Sequence, residues 1–252
     1  MEKKTTHPSG DISKKLLSTK NIPPHERLIL ALDVDTVEKA RAMVKDLGSA
    51  VHFYKLGLQL FMAGGYFDLI EELRKQGKKV FVDLKFFDVP QTVKSAVAQL
   101  KHRDAQFVSV HGNDGILKAA VENKNGLKIL AVTVLTSLDS EDLKDLGFKC
   151  DVESLVLSRA QRALKLGCDG VISSGLEAAK LRDQLGENFL IVTPGIRPVE
   201  NVDDQKRTVD VRQAFLNGAD YIVVGRPILQ DANPRKKSEE IQREISLLFN
   251  GV

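Results

Sequence analysis

Val80-Phe81-Val82-Asp83-Leu84-Lys85-Phe86-Phe87-Asp88-Val89-Pro90 begins as an apolar run and ends in charge. Val80–Leu84 reads as a strand buried on both faces, and Asp88 before Val89-Pro90 suits the start of a helix. A buried strand followed at once by a helix is the repeating unit of a parallel sheet with helical crossovers.

The same unit recurs on both sides of it. Strands are predicted at Leu28–Leu32, His52–Leu56, Val80–Leu84, Phe107–Val110, Ile129–Val134, Gly170–Ser173, Leu190–Thr193 and Tyr221–Val224, each ahead of a helical stretch. Val37, Ala40, Met43, Val44 and Leu47 form an apolar stripe at three and four spacing, ended by Gly48. A second helix is read through Phe61, Phe67, Leu69, Ile70 and Leu73, stopped by Gln76-Gly77. Eight such units predict an α/β fold, a (β/α)8 TIM barrel in a single domain. An open doubly wound sheet is the rival, weakened because no Gly-x-Gly-x-x-Gly follows the first strand.

The chain of 252 residues is long enough for one such barrel. Residues 1–24 are polar and end in Asn21-Ile22-Pro23-Pro24, so they read as a flexible N-terminal extension, with 25–252 as the catalytic barrel. Lys3, Lys4, Lys14, Lys15 and Lys20 against Glu2 and Asp11 give that extension the whole net charge of +3. The remainder is balanced and has no net basic excess, which argues against a nucleic-acid partner. No run reaches the length of a membrane span and no secretory signal is read, so the expected location is cytoplasmic. Cys150 and Cys168 have no metal-ligand spacing and read as packing residues.

A barrel places its chemistry at the C-terminal ends of its strands. Those positions hold Asp33, Lys55, Asp83, Lys85 and Asp88. Asp83 and Lys85, two apart on an extended segment, face the mouth together, and the carboxylates would keep the lysines protonated despite desolvation. Structural salt bridges or helix caps are the plainer reading, but a cap needs no lysine inside a strand. At the far end, Thr193-Pro194-Gly195-Ile196-Arg197-Pro198 and Gly225-Arg226-Pro227-Ile228 follow strands seven and eight, where such barrels often bind phosphate. Ordinary strand-to-helix turns would also use Gly and Pro. Thr136 after strand five suits either a hydrogen bond to a polar ring or a cap, and His111 after strand four reads mainly as structural.

These residues resemble the orotidine 5′-phosphate decarboxylase family. Ala31-Leu32-Asp33, Tyr54-Lys55-Leu56-Gly57, Asp83 through Pro90, Val132 through Ser137, Thr193 through Pro198, Asp204-Gln205 and Val224 through Ile228 carry the resemblance in order across residues 28–230. It implies decarboxylation of orotidine 5′-monophosphate (OMP) to UMP and carbon dioxide, the last step of de novo pyrimidine biosynthesis, with no cofactor and no metal. It further implies Lys85 as proton donor beside Asp83 and Lys55, and a homodimer in which Asp88 and Thr92 reach the neighbouring subunit's site. Asp33 and Lys55 would bind the ribose and Thr136 the pyrimidine. Pro194 would line the ring, and Gln205, Arg197, Arg226 and the Gly225 N–H would hold the phosphate, under a lid formed by Val199 to Arg207. Phe87 departs from the family pattern, which has histidine there in its bacterial form, and its side chain is expected to point away from the mouth. Three other readings stay open: a metal-dependent sugar-phosphate decarboxylase or epimerase, a non-catalytic phosphate-ligand barrel, and a structural module.

Overall fold

The structure, a computed structural model, describes residues 16–197 and 207–250. Eight parallel strands close on themselves in chain order: β1 Leu28–Ala31, β2 Phe53–Gly57, β3 Lys79–Phe86, β4 Phe107–Val110, β5 Lys128–Val132, β6 Gly170–Ile172, β7 Leu190–Thr193 and β8 Tyr221–Val224. Each pairs with the next, and Ile29 of β1 closes the ring opposite Val223 of β8. The helices are α1 Val37–Leu47, α2 Leu58–Met62, α3 Tyr66–Lys75, α4 Pro90–Gln99, α5 Asp114–Glu122, α6 Ser140–Asp145, α7 Val152–Lys165, α8 Ala178–Leu185, α9 Val211–Leu216, α10 Arg226–Leu229 and α11 Pro234–Phe249. The predicted TIM barrel is therefore the observed architecture. No described helix is long and apolar enough to cross a membrane.

Strand alternation divides the core into two layers. Leu28 and Leu30 of β1 face the helices, whereas Ile29 and Ala31 face the barrel axis. On the axis Phe107 stacks 5.0 Å from Phe53 and 5.2 Å from Tyr221, with Phe81 at 5.9 Å. Tilted and edge-on contacts of this kind fill the lower barrel with rigid aromatic bulk.

Three expectations change. The second predicted helix is two, α2 and α3, because Gly64 (φ 83°) and Gly65 (φ 64°) both adopt the left-handed region, which interrupts a helix. Phe61 and Phe67 are consequently half-exposed. Residues 16–24, read from sequence as the end of the extension, are part of the barrel floor. Ile22 packs against the aromatic axis, and Ser18 Oγ and Lys20 Nζ bond Asp220 Oδ1 at 2.5 and 3.0 Å. Asp220, fully buried, also accepts from Arg182 Nη2 at 2.7 Å and the Ile191 N–H at 2.9 Å. Cys168 is buried, and burial pushes its thiol up to about 12, but Cys150 is exposed rather than packed in the core.

Candidate active site

An open-mouthed cavity of about 220 Å³ occupies the upper rim. Nine of the predicted residues line it: Asp33, Lys55, Asp83, Lys85, Thr136, Pro194, Arg197, Gly225 and Arg226. They come from the ends of β1, β2, β3, β5, β7 and β8, brought together by closure of the ring. Gln205 and the expected lid segment 199–206 lie outside the described residues.

The charges form one chain of alternating sign. Lys55 Nζ lies 3.3 Å from Asp33 Oδ1 and 3.2 Å from Asp83 Oδ2, and Lys85 Nζ lies 3.0 Å from both Asp83 oxygens. Close approach here requires Gly57, where a Cβ would sit 3.0 Å from Asp33 Oδ1 and 3.2 Å from Lys55 Nζ. Burial opposes the charge on Lys55, but Asp83 and Asp33 outweigh it and hold the ammonium pKa above its ordinary value. Burial likewise penalises the Asp83 carboxylate; Lys55, Lys85 and a hydrogen bond from Ser109 prevail and keep its pKa below the usual range. Both groups are thus ionised at neutral pH.

Lys85 reaches this position by a route that simple alternation does not predict. Val82 pairs with Val108, but the next partner of β4's Val110 is Phe86, so β3 bulges between them. Within the bulge Lys85 has φ 47°, a left-handed conformation that costs a side-chain-bearing residue about 1–2 kcal/mol. Ser109 of β4, which the sequence did not single out, donates to Asp83 Oδ1 at 2.7 Å and accepts the Lys85 N–H at 2.9 Å.

Across the mouth, Gly225 caps α10, and Arg226 begins it beside Pro227. A Cβ on Gly225 would come within 4.0 Å of Asp33 Oδ2, so the loop after β8 abuts the charge chain. Ile196 bridges Val209, and the Arg197 N–H donates to Val209 O at 3.0 Å. Arg207, read from sequence only as the end of a lid, is buried. Its guanidinium bonds Glu177 Oε1 at 2.6 Å and the carbonyls of Val134 and Leu135 at 3.0 and 2.9 Å, fixing the loop that carries Thr136.

Asp88 and Thr92 do not line this cavity. Both are exposed at the start of α4, where Asp88 Oδ1 accepts the Val89 N–H at 2.6 Å. Phe87, 67% exposed, points away from the mouth as expected and meets the His111 ring edge-on at 5.3 Å. His111 does not line the cavity either; burial first, then Arg159 and Lys85, lowers its pKa and keeps it neutral. Among the described residues no three His, Cys, Asp or Glu side chains are grouped to hold a metal ion.

Residues 26–241 match the orotidine 5′-phosphate decarboxylase / HUMPS family. An orotidine 5′-phosphate decarboxylase of Methylococcus capsulatus is 59% identical over 235 residues, spanning 92% of this chain and 97% of its own length. One from Nitrobacter winogradskyi is 48% identical over 224 residues, 88% and 93% of the two chains. The crystal structure of orotidine 5′-phosphate decarboxylase from Lactobacillus acidophilus superposes with a TM-score of 0.78 at 36% identity, covering 87% of this chain and 99% of the other.

Proposed function

The chain belongs to the orotidine 5′-phosphate decarboxylase / HUMPS family and converts OMP to UMP and carbon dioxide, the last step of pyrimidine biosynthesis, and we propose that Lys85 is the acid of that reaction. When the carboxylate leaves, the bonding pair stays on the ring carbon, which has no adjacent carbonyl to accept it. Two things then lower the barrier: fixed positive charge where the anion forms, and a proton to quench it. The Lys85 ammonium supplies both. Its proton passes to the ring carbon and the resulting amine recovers one from water. The observation that carries this assignment is the Lys85 ammonium held 3.0 Å from both oxygens of a buried, ionised Asp83 at the cavity mouth.

The order of strands around the ring supports a path for the rest of the substrate. Arg197, Gly225 and Arg226 after β7 and β8 take the phosphate, with Gln205 as a further ligand carried over from the family pattern. Asp33 and Lys55 on β1 and β2 take the ribose, and Thr136 with Pro194 takes the base. Phosphate binding far from the reacting carbon anchors the ring against Lys85 and turns remote binding energy into turnover.

Asp88 and Thr92 complete the site of a second copy in a homodimer. Their exposure, and that of Phe87 and Val89 (67% and 63%) around Asp88, supports this: an apolar rim about a carboxylate suits an isologous contact. The free thiols of Cys150 and Cys168 fit a reducing, cytoplasmic setting.

Loss of OMP absorbance tests the chemistry. Turnover should persist unchanged in EDTA; loss that a divalent cation restores would favour metal-assisted chemistry. The shared site is tested by mixing Lys85→Ala and Asp88→Ala protomers, each impaired alone. Random exchange gives one complete site in each mixed dimer, hence about a quarter of parental activity. No recovery on mixing would place Asp88 in its own subunit's site or outside the chemistry.

A further inference from the structure

We propose that Ser109 is a positioning residue for the decarboxylation, its hydroxyl locking the Asp83 carboxylate and the Lys85 backbone into the one arrangement that aims the ammonium at the cavity. The inference rests on the reading of Lys85 as the acid. Ser109 is fully buried, and among the four residues of β4 it alone is polar: Phe107, Val108 and Val110 are apolar. A hydroxyl has one proton to give and lone pairs to receive another. Here the proton goes to Asp83 Oδ1 at 2.7 Å, and a lone pair accepts the Lys85 N–H at 2.9 Å.

That second bond is needed because of the bulge. From Val82 to Phe86 β3 advances four residues while β4 advances two, from Val108 to Val110, so the backbone between them leaves the strand ladder. Lys85 sits there at φ 47° and takes the Ser109 oxygen as its N–H acceptor. Alanine at 109 would leave that N–H without its acceptor and Asp83 without one of its donors. The carboxylate, still drawn by Lys55 at 3.2 Å, would be free to turn, and the Lys85 ammonium with it. Ser109 has no hydrogen bond to Asp33, Arg197, Gly225 or Arg226. Its loss should therefore touch the chemical step and not the grip on ribose and phosphate.

The test is steady-state kinetics on OMP, with UMP affinity and thermal midpoint measured alongside, for Ser109→Ala, Ser109→Thr and Lys85→Ala. Ser109→Ala should lose about 100-fold in kcat, the scale of an ångström-sized misplacement. KM and UMP affinity should stay within about threefold. Ser109→Thr, which keeps the hydroxyl, should recover kcat to within about tenfold of the parent. A Ser109→Ala enzyme with kcat within threefold of the parent overturns the inference, as does one whose KM rises and UMP affinity falls as steeply as kcat drops. If the alanine protein does not fold, the folded threonine protein decides, and a 100-fold loss there is the contrary result. Lys85→Ala separates the two levels. If it is inactive while Ser109→Ala is normal, only the role of Ser109 falls; if it is active, the reading beneath it falls.

Discussion

Lys55→Met removes the cation that joins Asp33 to Asp83 and keeps most of its volume. In the parent the Lys55 and Asp83 side chains are 11% and 7% exposed and 3.2 Å apart, so the substitution leaves a buried carboxylate short of its partner. Breaking a buried pair in this way costs about 3–5 kcal/mol. Lys85 at 3.0 Å and Ser109 at 2.7 Å still face Asp83, which places the expected loss near the lower end, about 3 kcal/mol. Asp33 is 46% exposed, so its bond to Lys55 is screened by solvent and adds only a few tenths, about 0.3 kcal/mol. For a chain of this size the midpoint should fall by about 6–12 °C.

The pH dependence follows from the direction of each shift. Asp83 has a depressed pKa in the folded parent, so its contribution is present above 3.8 and is lost as pH falls through the folded value. Lys55 has a raised pKa, so its contribution is present below 10.5 and is lost as pH rises through the folded value. In Lys55→Met the Asp83 carboxyl keeps its burial and loses its strongest opposing charge, so its pKa moves up and it takes up a proton early on acidification. The stability gap between parent and variant should be widest on the neutral plateau and narrow towards pH 4. Denaturant unfolding at several pH values measures it. A variant as stable as the parent at pH 7, or a gap that does not change between neutral pH and pH 4, would refute the reasoning.

Asp220→Ala removes four hydrogen-bond donors' common acceptor and strands Arg182, whose side chain is 3% exposed; stability should drop by about 3–5 kcal/mol while the folded fraction keeps its turnover number, as read by denaturant unfolding and OMP assay. An unchanged midpoint would show that the barrel floor does not depend on this network. Arg226→Ala should weaken UMP binding by roughly 10- to 100-fold, the worth of a charge-assisted bond, and titration at parental affinity would remove Arg226 from the phosphate site.

The strand positions were legible because apolar β-rich runs, each followed by a helical stretch, recur eight times, and charges at the ends of such runs stand out. Asp33, Lys55, Asp83 and Lys85 stand out for that reason, and they meet at one cavity as the barrel rule requires. The bulge in β3 was not legible, since Asp83-Leu84-Lys85 contains no glycine to announce a left-handed residue. Ser109 escaped because its meaning is cross-strand: its partners lie 24 and 26 positions away, on a neighbouring chain segment. Ser18 and Lys20 escaped on a larger scale, looking like solvated lead-in while bonding a carboxylate about 200 positions on. The break at Gly64-Gly65 was present in the sequence, but apolar residues on both sides of it suggested one continuous helix.

Single-turnover conversion of OMP by Lys85→Ala, with UMP titrated into the same preparation, tests the central assignment most directly. The expected result is retained UMP binding with no detectable product on the time scale of the parent. Near-parental formation of UMP by the folded variant would contradict it and move the proton donor elsewhere in the cavity.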